Sequence, residues 1–178
     1  MSARLPPVPG EWLDRSRVLT FRFEGEIFSG FAGDVIGSAL LASGAHILGR
    51  SFKYHRPRGV LSMANHDANA LVEDRAHVNL RADVTAVVEG MHLVAVNTFG
   101  GVQADRARVV DRLSRLLPVG FYYKAFHRPK ALAPGWERFF RSMTGLGAVK
   151  HDAPRLVTPK GHDFCDVLVI GAGPSGLA

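Results

Sequence analysis

Hydrophobic and polar positions alternate most regularly at Val18-Leu19-Thr20-Phe21-Arg22-Phe23, which places Leu19, Phe21 and Phe23 on one face of a strand. Glu24-Gly25 supplies a turn, and Glu26-Ile27-Phe28 returns as a second strand. The period then changes. Val35, Ile36, Ala39 and Leu40 recur at helical spacing, in a short helix opened at Gly33-Asp34 with Asp34 as N-cap and closed by Gly44 just past its end. Further strands are expected over 69–73, 84–88 and 93–96, with Gly90 in the turn between the last two and 62–67 as a polar loop.

A hairpin followed by a helix crossing its sheet is the opening of a β-grasp domain. After Gly100-Gly101 the character shifts. Val109, Val110, Leu113, Leu116 and Leu117 form an apolar stripe opposite Arg108, Asp111, Arg112 and Arg115, which predicts a helix over 105–117 stopped by Pro118. The aromatic run 121–126 would be a large exposed patch on a free surface, so it is expected to pack on the domain or on a partner subunit. A second amphipathic helix is expected over 136–143, and 148–163, with Pro154 and Pro159, reads as a linker.

The last stretch carries the most specific pattern. Phe164 and the run Val167-Leu168-Val169-Ile170 read as a buried parallel strand leading into Gly171-x-Gly173-x-x-Gly176. Gly171 permits a tight turn, Gly173 lets the backbone approach a pyrophosphate, and Gly176 lets helix and strand pack closely. The helix N-terminus would then offer free N–H groups to the phosphates. The chain reaches Ala178 before the second strand and the acidic residue expected about 20 residues on for the ribose hydroxyl. It is therefore expected to be the N-terminal part of a longer protein, unable to complete that site by itself. The resulting organisation is an arm (1–17, with Pro6, Pro7 and Pro9), a β-grasp domain (18–104), a helical segment (105–147), a linker (148–163) and the start of a dinucleotide-binding unit (164–178). The fold class is α+β, a β-grasp (ubiquitin-like) domain with a helical extension, ending in the first strand and turn of a Rossmann-like α/β unit.

Composition adds bounds. In 178 residues, 47% are hydrophobic and 21% charged, ordinary for a globular chain with room for one domain and part of a second. No apolar run approaches the roughly 18 residues of a membrane helix, and the proline-rich start lacks the apolar stretch of a signal peptide. A cytoplasmic, membrane-free protein is expected. The single cysteine, Cys165, excludes an internal disulfide framework and reads as a small buried residue beside the last strand.

The net charge of +6 raises the question of an anionic partner. Arg50, Lys53, Arg56 and Arg58 interleave with Phe52 and Tyr54, a pattern that could grip single-stranded nucleic acid. No second basic-aromatic platform accompanies it, so the preferred reading is a pinned loop whose arginines pair with carboxylates or a cofactor elsewhere in a larger assembly, and no nucleic-acid partner is expected. His66 and Asp67 lack further donors at ligand spacing, so a solvated turn is the preferred reading and no metal site is expected. No catalytic constellation of Ser/His/Asp, paired carboxylates or nucleophilic cysteine is identifiable.

The order of marks resembles the N-terminal region of the α subunit of heterotetrameric sarcosine oxidases. It comprises the hairpin, the Ala39-Leu40-Leu41-Ala42-Ser43-Gly44 helix, Arg50-Ser51-Phe52-Lys53-Tyr54-His55-Arg56-Pro57-Arg58-Gly59, Asn69-Ala70-Leu71-Val72, Leu117-Pro118-Val119-Gly120-Phe121-Tyr122-Tyr123-Lys124 and the glycine turn. The resemblance implies a ferredoxin-like domain ahead of a nucleotide-binding domain. It also implies oxidative demethylation of sarcosine by a flavin in a partner subunit, tetrahydrofolate as one-carbon acceptor, and a dinucleotide (NAD or FAD) held by the α subunit. Only Gly171, Gly173 and Gly176 carry over as cofactor-binding residues. The segment alone is expected to be inert and to serve structure and contact with the other subunits of a hetero-oligomeric flavoenzyme. The alternative is a stand-alone adaptor that holds subunits of an amine dehydrogenase together. Related subunits use such a domain to hold a [2Fe–2S] cluster through four cysteines. Here the loop after Gly59 has none, and no cluster is expected.

Overall fold

A computed structural model of the chain describes residues 4–62, 67, 70–116, 120, 132–144, 151 and 159–170. The hairpin forms as its alternation requires. Strands β1 (Asp14–Phe23) and β2 (Glu26–Ala32) pair antiparallel, from Val18 opposite Phe31 to Phe23 opposite Glu26. Glu24 (φ 53°) and Gly25 (φ 87°) are both left-handed, as a two-residue hairpin turn matching the strand twist demands. Phe21 and Phe23 are buried while Arg22 between them is exposed. β1 begins four residues before the alternating run, across a register shift between Asp14 and Val18, so the arm is shorter than 1–17.

Helix α1 (Ile36–Ala42) buries Ile36, Ala39 and Leu40 completely. Its first turn differs from the expectation. Val35, not Asp34, is the N-cap residue, with extended φ −87° and ψ 160°. The N–H of Val35 donates to the Ser38 hydroxyl (3.1 Å), and that hydroxyl lies 2.7 Å from Asp34 Oδ1. Asp34 thus acts one residue earlier, holding the side chain that meets the turn. Gly44 closes the helix as expected, at φ 88°.

The segment 84–88 is not a strand; only Ala86 bridges, to Val35. Its backbone is committed elsewhere. The α1 N–H groups of Ile36 and Gly37 donate to the carbonyls of Thr85 (2.9 Å) and Ala82 (2.7 Å), and Val87 N–H donates to Asp34 O (2.9 Å). Helix starts leave N–H groups without intrahelical acceptors. The 82–87 backbone supplies them.

Strands β3 (Gly49–Arg50) and β4 (Pro57–Arg58) form a small antiparallel pair that periodicity does not reveal. β5 (Leu71–Glu73), β6 (Leu80–Arg81) and β7 (His92–Ala95) complete a five-stranded sheet in the order β2-β1-β7-β5-β6. β7 runs parallel to β1, with Arg22 opposite His92, and the other pairs are antiparallel. A central parallel pair of first and last strands, crossed by one helix, is the β-grasp arrangement within an α+β fold. Its core joins Phe21, Phe23, Ile36, Leu40, Leu48, Val72 and Leu93.

The segment expected as a helix over 105–117 is a 3₁₀ helix, Arg106–Leu116. Helix α2 (Ala133–Thr144) contains the predicted 136–143. The aromatic run 121–126 and most of the linker lie outside the described residues.

Residues 164–170 depart most from expectation. They form no strand, Val167 and Ile170 are 78% and 88% exposed, and Cys165 is exposed rather than buried. A parallel strand takes its hydrogen bonds and its cover from neighbours. Among the described residues no strand pairs with this run.

The hairpin turn also ties the sheet to the loop beyond β7. Glu24 Oε1 accepts the Ala95 N–H (2.7 Å) and Oε2 the Val102 N–H (3.1 Å). Glu24→Gln keeps one acceptor oxygen and loses the charge, and should lower unfolding stability by about 1 kcal/mol in urea titrations. A change smaller than about 0.3 kcal/mol would show that this tie contributes nothing.

Candidate functional site

The basic-aromatic stretch 50–58 is folded tightly onto the segment after β7. Arg50 is buried; its Nε donates to Val102 O (2.8 Å), a second nitrogen meets the same carbonyl, and Nη1 donates to His55 O (3.2 Å). Asn97 returns a hydrogen bond to Arg50 O (3.0 Å). Arg56 pairs with Asp111 (2.7 Å), with both side chains about half exposed. Lys53 Nζ and the Arg56 guanidinium each lie 4.7 Å from the Tyr54 ring centroid. Tyr54 is therefore engaged by the chain's own cations. The loop is pinned, but by this chain and not by a larger assembly: carbonyl oxygens hold Arg50, and the Asp111 carboxylate holds Arg56.

His55 was not singled out by sequence. It sits between the two short strands at φ 51°, a left-handed conformation uncommon for a non-glycine residue. Its ring is wholly buried against Phe99, with centroids 5.6 Å apart. Nδ1 lies 2.7 Å from Asp105 Oδ2, and Asp105 is also fully buried. Asp105 Oδ1 accepts the N–H groups of Phe99 and Ala107, both at 3.1 Å, so the same carboxylate opens the 3₁₀ helix. Nδ1 is committed to the carboxylate, and Nε2 has no hydrogen-bond partner among the described residues. The sequence signal for the pair is limited to an acidic residue at the first position of the helix predicted over 105–117. The pairing itself spans 50 residues.

A cleft of about 770 Å³ opens beside this pair, between the β3–β4 loop and the 3₁₀ helix. Its walls carry five arginines, Arg50, Arg56, Arg106, Arg108 and Arg112, against two carboxylates, Asp105 and Asp111.

The described residues of the loop after Gly59 are held by backbone hydrogen bonds. Asp67 is buried; its Oδ2 accepts the N–H groups of Leu61 (2.6 Å) and Ser62 (3.2 Å), and its own N–H donates to Asp83 (3.1 Å). Burial opposes ionisation of Asp83, but the Arg81 guanidinium and the Asp67 N–H outweigh it and hold the carboxyl below its usual range. Asp67 is thus a buried structural acceptor and not part of a solvated turn. His66 lies outside the described residues, as do Gly171, Gly173 and Gly176. No helix among the described residues is long and apolar enough to cross a membrane.

Residues 16–98 match the family described as a 2Fe-2S iron-sulfur cluster binding domain. The donors here do not fit that cluster. Carboxylate and imidazole groups cannot stand in for all four thiolates, and the chain's single cysteine, Cys165, lies outside the matched span. The chain is 41% identical over 174 residues to sarcosine oxidase subunit alpha of Rhizobium meliloti (strain 1021), a match covering 93% of this chain and 17% of that protein. Subunits of the same name from Corynebacterium sp. strains U-96 and P-1 are 28% and 29% identical, over 95% and 99% of this chain and 13% and 14% of theirs. The chain thus spans less than a fifth of the length of these curated relatives. Among solved structures, L-proline dehydrogenase from P. horikoshii is similar over 45% of this chain and 16% of its own, at 25% identity and a TM-score of 0.39.

Proposed function

We propose that this chain is the N-terminal portion of the α subunit of a flavin-dependent oxidoreductase that oxidatively demethylates sarcosine. The observation that carries the reading is the 41% identity with the Rhizobium meliloti subunit across 93% of the chain. The β-grasp order of the sheet supports it independently. In this reading the domain is a scaffold and subunit-contact module. Three of its buried carboxylates, Asp34, Asp67 and Asp105, each accept backbone N–H hydrogen bonds, which is structural work.

The dinucleotide, NAD or FAD, would be held at Gly171-x-Gly173-x-x-Gly176 once strands flank the run 164–170. The exposed apolar side chains of Val167 to Ile170 are what such a sheet would cover. The redox-active flavin would sit in a partner subunit and tetrahydrofolate in a later domain, so this segment supplies neither the electron carrier nor the one-carbon acceptor. The [2Fe–2S] cluster has no place in the scheme, for want of thiolates.

The test is anaerobic titration of the complete α subunit, co-purified with its partner subunits, with sarcosine. Bleaching of the flavin absorbance by sarcosine, and its absence with the 178-residue chain alone, is the expected result. A complex whose flavin is not reduced by sarcosine or any other N-methyl amine would overturn the proposal.

A further inference from the structure

We propose that the cleft between the β3–β4 loop and the 3₁₀ helix is a binding site for the phosphate group of a small molecule. The site lies wholly within residues 50–112 and does not depend on how 164–178 are read. Three observations converge on it. The first is charge. Arg106, Arg108 and Arg112 have no carboxylate partner among the described residues, while the two acidic residues of the wall are occupied by His55 and Arg56. The second is geometry. With three residues per turn, the 3₁₀ helix stacks Arg106, Val109 and Arg112 in one row along the cleft. Arg106 and Arg112 thus stand on the same side, two turns apart, and guanidinium forks engage phosphate oxygens through paired hydrogen bonds.

The third observation is His55. A wholly buried imidazole on the cleft wall, with Nδ1 committed to Asp105 and Nε2 unsatisfied, is an incomplete hydrogen-bonding group. Its left-handed backbone holds it there against conformational preference. A solvated basic surface has no need of such a residue behind it. The cleft, about 770 Å³, is large enough for more than the phosphate itself, within the range of small-molecule sites. Asp111, paired with Arg56 at the rim, competes with the incoming anion for the same guanidinium.

The experiment is calorimetric titration of the whole chain with inorganic phosphate, pyrophosphate and AMP at fixed ionic strength, with chloride as control. Binding of all three phosphates is expected, weakened about tenfold or more in R106Q/R112Q and strengthened severalfold in D111N. These side chains are exposed or half-exposed, and circular dichroism melts should show the variants folded. The Nε2 resonance of His55 should shift on phosphate addition in the wild type and not in the double variant. AMP binding much tighter than phosphate would assign the site to a nucleotide, and equal affinity to the free anion. Chloride matching phosphate, or a double variant within about twofold of wild type, would overturn the proposal. Because the variants leave the glycine turn untouched, loss of binding in them separates this site from any dinucleotide held there.

Discussion

Asp105→Ala is expected to lower the unfolding free energy by about 3 kcal/mol, the cost of breaking a buried charge-assisted pair. The carboxylate accepts from the His55 ring, the Phe99 N–H and the Ala107 N–H, and none of the three has another acceptor within this set of contacts. Alanine leaves an imidazole buried with both nitrogens unsatisfied and removes the group that opens the 3₁₀ helix. Asp105→Asn keeps an oxygen for the backbone donors and should cost roughly half as much. Urea unfolding followed by tryptophan fluorescence, with circular dichroism alongside, measures both. An alanine variant within about 0.5 kcal/mol of wild type would mean that this pair does not hold the cleft wall.

A similar loss, also about 3 kcal/mol, is expected for Asp34→Ala. Its carboxylate, fully buried, pairs with the Arg4 guanidinium and accepts the Phe31 N–H (2.7 Å), with the Ser38 hydroxyl beside it. Arg4 also lies 4.9 Å from the Phe31 ring centroid, so the arm is fastened over the start of α1. Burial works against the charged form, yet the Arg4 guanidinium, the Phe31 N–H and the Ser38 hydroxyl together hold the carboxyl below its ordinary value. A carboxyl depressed in the folded state adds stability above its unfolded pKa and loses it as pH falls through the folded value. The acid limb of the stability profile, below about pH 4, should therefore be shallower in Asp34→Asn than in wild type. Asp74 and Asp83 are depressed as well, so a residual acid limb remains in the variant. An unchanged slope below pH 4 in Asp34→Asn would show that Asp34 is not ionised through its contact with Arg4.

The hairpin, α1 and the approximate places of β5 and β7 are legible in the sequence because their causes are local. Alternation about Phe21, the left-handed pair Glu24-Gly25 and the spacing of Ile36, Ala39 and Leu40 act within a few residues of chain. The absence of four cysteines is likewise a statement about donor chemistry that needs no coordinates. Tertiary structure decided the rest, through contacts distant in sequence. Residues 84–88 have the composition of a strand, but the unsatisfied N–H groups of α1 claim the carbonyls beside them. Cys165 and the run 167–170 have the composition of a buried strand and its flank, but burial is conferred by neighbours and not by the run itself. His55 and Asp105 are unremarkable apart, and become a buried pair only because β3, β4 and the segment after β7 converge. Local period and turn chemistry are written into adjacent residues. Which donor meets which acceptor across 50 residues is settled only when the whole sheet has closed.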